Sequence, residues 1–251
     1  MRLRGMLKAG EERRLGAVPK PVWLVLAACL LVQLIYAGFR HQSVFRPGPL
    51  PPPLPDRVVR LLSLNDAAPA SAFLLLWLQS RDSLAGHYAE FRHMDYGRLE
   101  GWLRQAIRLD PHSRYALLLA AQVYGGVADR ARKRQMFDFV HREFIKRPAI
   151  GWQAMAHVTV IAARDFADHR VSLRYAKDLY RLTRKRSDVP DWVKDIYWIL
   201  LAKSGNDGRA IAILRQRLAE SGLQAGERTF LRERLEALKR EMTKSRRFDD
   251  M

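Results

Sequence analysis

A chain of 251 residues with a formal charge of +18 and a pI of about 10.6 has room for one ordinary domain and an appendage, and it is attracted to anionic matter. Its single cysteine excludes an intramolecular disulfide and a cysteine-based zinc site, so redox chemistry does not set the compartment. The sign of the charge alone does not choose among lipid head groups, nucleic acid, an acidic protein and an acidic polymer.

Residues 1–20 carry Arg2, Arg4, Lys8, Arg13, Arg14 and Lys20 against Glu11 and Glu12, without an apolar pattern, and read as a basic cytoplasmic tail. Residues 21–39 hold no charge, and Gln33 is their one strongly polar residue. As a helix they span roughly 28 Å, close to the hydrocarbon core of a bilayer, which predicts a transmembrane helix. Six basic residues precede this run and only Arg40 and Arg46 follow closely. The positive-inside bias then keeps the N-terminus cytoplasmic and places the rest in the periplasm of a bacterial inner membrane. Leu26-Ala27-Ala28-Cys29 has the form of a lipoprotein signal box, but the apolar run continues ten residues past Cys29, where a lipidated mature chain would be polar. The reading is therefore a cysteine inside a membrane helix. Cleavage as an ordinary secretory signal is the other alternative, and Tyr36-Ala37-Gly38-Phe39 is a poor site for it.

Residues 40–56 form a proline-rich linker. Pro47 to Pro55 cannot make helix or sheet, so an extended polyproline spacer of about 3 Å per residue is expected to hold the folded part off the membrane.

From residue 57 to 245 apolar residues recur at three and four, and strict alternation is missing, so the class is all-α. Pro69, Pro111, Pro148 and Pro190 stand 42, 37 and 42 residues apart near the starts of apolar helical segments, which predicts a repeat of two helices. In the first unit Phe73 to Leu78 is expected to be a buried helix, paired with Tyr96 to Leu109 after a polar loop from Arg81 to His93. In the second, Asp110 and Pro111 are expected to open a helix bearing Leu117, Ala120, Ala121 and Tyr124, followed by one from about Asp129 to Lys146 with Phe137, Val140 and Phe144 inward. The third has stripes at Trp152, Met155, Ala156, Thr159, Val160 and Ala163, then at Leu173, Ala176, Leu179 and Tyr180. The fourth runs from Pro190 through Ile196, Ile199 and Leu200, turns at Ser204 to Gly208, and returns with Ala210, Ile211, Leu214 and Leu218. A last helix near Gly226 to Lys244, with Leu231, Leu235, Leu238 and Met242 on one side, suits a solenoid's closing helix, and 246–251 is a tail.

These units resemble the tetratricopeptide repeat family over roughly Pro69 to Lys244. The resemblance rests on Leu103, Ala106 and Pro111 at the end of one repeat, Ala121 and Tyr124 in the next first helix, and Gly205, Ala210 and Leu214 in a later turn and second helix. It implies an α-solenoid of about four hairpins whose groove holds a peptide or a partner protein, usually without catalysis.

No Gly-rich phosphate loop, Gly-x-Ser-x-Gly elbow or His-Glu-x-x-His occurs, and His87, His93 and His157 make no compact ligand set, so no cofactor, metal or catalytic residue is assigned. Arg114, Gln122, Gln153, His157 and Lys194, polar positions on first helices, are the candidate partner-binding residues. Arg130, Arg132, Lys133 and Arg134 open one second helix, and Arg181, Arg184, Lys185 and Arg186 close the next, as candidate basic surfaces. Cations closing a helix also answer its dipole. From Arg57 onward Lys and Arg exceed Asp and Glu by 36 to 23. Trp152, Trp192 and Trp198 fall in apolar stripes and are expected in the core, which leaves no stacking platform for bases. The expected function is a membrane-anchored, non-catalytic adaptor or assembly scaffold on the periplasmic face. The alternatives are a basic repeat domain binding an anionic polymer, nucleic acid or lipid head groups, and a membrane-bound enzyme with an unrecognised site.

Overall fold

The computed structural model describes residues 20–40, 49–63, 66–83, 94–220 and 223–249. The tail 1–19, the loop residues His87 and His93, and residues 41–48 of the linker lie outside the described residues. The chain divides into two units, residues 1–46 and 47–251.

In the first unit, α1 is Lys20–Arg40. Its side chains are described from Pro21 to Tyr36 and all are exposed, Cys29 among them. That stretch is shorter than the uncharged run of the sequence, and among the described residues no helix is long and apolar enough to cross a membrane.

In the second unit every element described is helical. A short α2 (Asp56–Leu62) precedes α3 (Ala67–Ser83) and α4 (Tyr96–Leu109). Next come α5 (Tyr115–Leu119), which runs on into a π-helical turn (Ala120–Tyr124), and α6 (Arg130–Lys146). Then α7 (Pro148–Asp165) pairs with α8 (His169–Thr183), α9 (Asp191–Lys203) with α10 (Asp207–Leu218), and α11 (Ala225–Asp249) closes the series. Helices adjacent in sequence pack together in consecutive pairs, and α7 also touches α9 as α6 touches α8.

Two kinds of start signal set this phase. First helices begin near a proline: Pro69 is in the first turn of α3, Pro148 is the first residue of α7, and Pro190 is the cap of α9. Proline suits these positions because the first turn has no intrahelical use for its missing N–H. Second helices begin at an aspartate whose carboxylate accepts from the next free amides. Asp95 accepts from Gly97 and Arg98, Asp129 from Ala131 and Arg132, and Asp168 from Arg170. The fourth turn closes through Gly205 at φ 73°, a backbone region that glycine enters without a Cβ penalty.

Asp110 and Pro111 depart from expectation. Asp110 accepts from the amides of His112 and Ser113, so it closes a turn after α4, and α5 starts only at Tyr115, whose amide donates to Ser113 Oγ. The π-helical turn widens the coil by one residue, with the Gly125 amide reaching back to Ala120.

One core runs from Leu50 through α3 to α9, and a second fills the space among α9, α10 and α11 around Trp198, Leu214, Leu231 and Leu238. Phe137, Val140 and Phe144 are inward as expected, and so are Leu231, Leu235 and Leu238. Three apolar expectations are corrected. Of the run Phe73 to Leu78 on α3, Leu74, Leu75 and Leu78 are buried, whereas Phe73 is 73% exposed, because the described neighbours cover the side that bears Leu74, Leu75 and Leu78. On α7 the buried arc runs through Ala154, Met155, Val158, Thr159 and Ala162 and leaves Val160 exposed. Trp192 is 58% exposed in the first turn of α9, although Ile196, one turn further along the same face, is buried.

The linker is also corrected. From Leu50 to Leu54 it lies on α4 as a strap, with Leu50 buried. Arg98 Nη1 donates to the Leu50 carbonyl (2.6 Å), Trp102 Nε1 to Pro51 (2.8 Å) and Gln105 Nε2 to Leu54 (2.5 Å). A polyproline strand has no internal hydrogen bonds, so its carbonyls need outside donors. Positions 98, 102 and 105 supply them from a single face of α4, being four and three residues apart. This segment is bound to the folded unit and does not act as a free spacer.

Candidate functional site

The two helix classes present different surfaces. Along the second helices, cations are matched to carboxylates of the neighbouring second helix. Arg142 Nη2 of α6 donates to Glu100 Oε2 of α4 at 2.8 Å, and Gln135 donates to the other oxygen at 3.1 Å. Glu143 is buried and sits among Arg104, Lys146 and Arg147. Between α6 and α8, Asp138 accepts from Arg134 (2.9 Å), Arg174 (3.0 Å) and the Tyr175 hydroxyl (2.5 Å). Burial, then the hydrogen bond to Asp138, pushes the Tyr175 hydroxyl well above its ordinary pKa. His141 Nε2 lies 2.9 Å from Asp178, which also meets Arg181 at 3.0 Å.

Other carboxylate pairs absorb most of the expected basic surface. Lys133 bonds Asp165, and the Arg164 and Lys133 bonds together hold the Asp165 carboxyl at about 2. Arg132 lies over the Tyr96 ring and near Asp129, and Arg134 lies over Phe166. Arg186 pairs with Asp188, while Arg184 is half-buried and Arg130 and Lys185 are exposed. The clustered cations were legible in the sequence. Their partners are mostly aspartates two to four residues away, Asp129 for Arg132, Asp138 for Arg134, Asp178 for Arg181 and Asp188 for Arg186; Asp165, 32 residues from Lys133, was not legible.

Along the first helices the polar residues are few and the exposed apolar ones many. Arg114 Nη1 donates to Gln153 Oε1 at 3.0 Å, which brings two of the candidate residues together across α5 and α7. The Tyr115 hydroxyl makes the corresponding bond to Gln79 of α3 at 3.0 Å. His157, one turn beyond Gln153, is half-buried, and burial followed by the nearby Arg164 charge lowers its pKa. Gln122 is exposed on the π-helical turn. Lys194 does not belong to this surface. It is 7% exposed between neighbouring helices, with Nζ on Asp191 Oδ1 at 2.9 Å, because an ammonium buried in the first turn of α9 needs the carboxylate one turn back.

Beyond the strap and α2, the large apolar side chains exposed among the described residues of this unit are Phe73 and Leu76 on α3, Tyr115 and Val123 on α5 and its π turn, Val160, Trp192, and Phe230 on α11. The second helices contribute Ile145 alone to that set. Two open clefts lie on this side. One of about 410 Å³ has apolar walls of Val160, Leu173, Ile196, Ile199 and Leu200, and one of about 330 Å³ is lined by Ile199, Ala202, Phe230 and Leu238; they meet at Ile199 and Lys203. A larger apolar cavity, about 810 Å³, lies between the strap, α2, α3 and Trp102. Among the described residues no group of three or more His, Cys, Asp or Glu is placed to hold a metal ion.

Where α9, α10 and α11 meet, Arg217 is 1% exposed and is ringed by carboxylates. It bonds Glu220, Glu227 at 2.7 Å, Asp191 at 3.3 Å and Asp195 at 3.4 Å. Sequence reasoning passed over this residue, since an arginine in the last turn of a helix ordinarily reads as an answer to the dipole. No protein-family model matches the chain, and no curated protein or solved structure matches it, so the functional reading rests on this geometry.

Proposed function

We propose that the chain is a non-catalytic adaptor or assembly scaffold, anchored through residues 21–39, whose helical pairs form a tetratricopeptide-like solenoid that holds a protein partner on its first-helix face. The observation that carries the proposal is the segregation of surfaces. Exposed apolar side chains collect on α3, α5, α7, α9 and α11, while the second helices carry the cross-helix ion pairs. Large exposed apolar side chains gathered on one class of helix suit a docking surface, and aromatic residues such as Trp192, Tyr115 and Phe230 are the anchors protein interfaces favour. The same observation weighs against an anionic polymer as the main ligand, because most clustered cations of the second helices already have carboxylate partners.

The anchor reading is supported by the uncharged run of the sequence and by the exposed apolar side chains from Val22 to Tyr36, and the orientation by the six basic residues before it. It places the repeat unit in the periplasm, and a C-terminal reporter active only in the cytoplasm would overturn that placement. The adaptor reading is tested by exchanging exposed apolar residues for aspartate. Val160→Asp and Trp192→Asp are expected to abolish co-purification of the partner from native membranes, with Ile145→Asp retaining it; equal effects from all three would refute the assignment of the first-helix face.

A further inference from the structure

The paired clefts of α7, α8, α9 and α11 restrict what the partner presents. They join at Ile199 and Lys203, so they form one trough, with apolar walls from Val160 and Leu173 at one end to Phe230 and Leu238 at the other. The rim is cationic. Arg164, bonded to Asp165, stands at the first cleft, Lys203 at the junction, and Arg234 at the second, lying over the Phe230 ring. Glu241 is the carboxylate lining the second cleft, and nearby Asp165 is already engaged by Lys133 and Arg164.

The trough offers little to a peptide backbone. Its hydroxyls, Ser172 and Ser204, donate to carbonyls of their own helices, His169 and Leu201. An extended segment laid against these walls would bury amides and carbonyls without partners, whereas a helix keeps its backbone bonds internal and presents side chains only. We propose that the trough seats an amphipathic helix of a partner protein, with apolar anchors at i, i+3, i+4 and i+7 and acidic residues flanking them. The apolar stripe fills the space from Val160 to Phe230, and the flanking carboxylates meet Lys203 and Arg234. This inference rests on the first-helix face being the docking surface.

The test uses the full chain in a non-ionic detergent and three fluorescein-labelled 18-residue peptides, read by anisotropy at low and at high salt. One carries leucine at the stated spacing with glutamate elsewhere, one replaces glutamate by lysine, and one scrambles the first to remove the stripe. The acidic amphipathic peptide is expected to bind at least about tenfold more tightly than either other, with the preference narrowing in high salt. Val160→Asp is expected to weaken it by about tenfold, and Lys203→Glu with Arg234→Glu, both exposed sites, to reverse the preference toward the lysine peptide. Equal binding of the acidic and basic peptides, or of the scrambled one, overturns the proposal. So does a loss of binding to anionic phospholipid vesicles in the trough variants with the peptide unaffected, which would make the trough a lipid site. If charge reversal leaves the preference unchanged while Val160→Asp still abolishes partner capture, the trough inference falls and the adaptor reading stands; if no first-helix substitution alters capture, the adaptor reading falls.

Discussion

Replacing Arg217 by methionine removes the cation at the meeting point of α9, α10 and α11 at nearly constant volume, so the effect comes from charge and hydrogen bonding. Of the four carboxylates it bonds, Asp191 is half open to solvent, and Glu220 and Glu227 have partial access to water. Those three regain hydration when the guanidinium is lost, and their ion pairs contribute little on balance. Asp195 is different. It is buried, and burial already pushes its carboxyl above the ordinary value even with Arg217 beside it. Breaking a buried pair by removing one partner costs about 3–5 kcal/mol, and the lower end, about 3 kcal/mol, applies because Asp195 can take up a proton. For a unit of this size that lowers Tm by about 6–12 °C if it melts cooperatively. Hydrogen exchange is expected to rise first in α11, which the Glu227 bond ties to the rest. Adding Asp195→Asn to Arg217→Met is expected to restore part of the loss at pH 7. A drop of less than about 1 kcal/mol, or unchanged protection of α11, would refute the assignment of Arg217 as the fastener of the closing helix.

Other consequences follow from the same contacts. A Cβ added at Gly101 would sit 2.5 Å from Pro53 Cγ, so Gly101→Ala is expected to lift the strap at a cost of about 1–3 kcal/mol. Faster hydrogen exchange through α2, which follows the strap, is the readout, and wild-type exchange would contradict the docking of the strap. Asp165, depressed to about 2, has a lower pKa folded than unfolded; its contribution is complete above pH 4 and is lost as pH falls toward 2. Thermal melts of the Lys133→Met, Arg164→Met double variant are expected to show less acid sensitivity in that window than wild type. Tyr175 shifts the other way: its raised folded pKa gives a contribution present below pH 10 and lost as pH rises above it, and Tyr175→Phe is expected to flatten that alkaline limb. Lys194→Ala is expected to lower Tm without altering partner capture by the protein that remains folded.

The pairing of helices was legible because it is written in local chemistry. The prolines at 69, 148 and 190 mark first helices, and the aspartates at 95, 129 and 168 mark second helices with equal regularity, a signal available from sequence spacing alone. Pro111 was a weaker mark, since Asp110 spends its carboxylate on the turn before α5. What was not legible depends on neighbours far along the chain. Periodicity gave α7 an apolar stripe, but helices packed on several sides of it choose which part of that stripe is covered, and so Val160 stays exposed. Likewise the strap is fixed by three side chains of α4 about 50 residues away, and nothing within the proline run announces them. The basic clusters looked like a binding surface because their net excess hid individual pairs: Arg132, Arg134, Arg181 and Arg186 meet aspartates within four residues, and Lys133 reaches across to Asp165 of α7. Conversely, the site favoured here is built from residues expected in the core, and their exposure is a property of the packing.

The central claim is that the first-helix face, and not the ion-paired second-helix face, holds a protein partner. Photo-crosslinking amino acids placed singly at Val123, Val160 and Trp192, and at Ile145 and Lys177 of second helices, test it most directly in intact cells. The account predicts one common crosslinked protein from the three first-helix positions and none from the other two; the same adduct from Ile145 or Lys177, or none from the first helices, would contradict it.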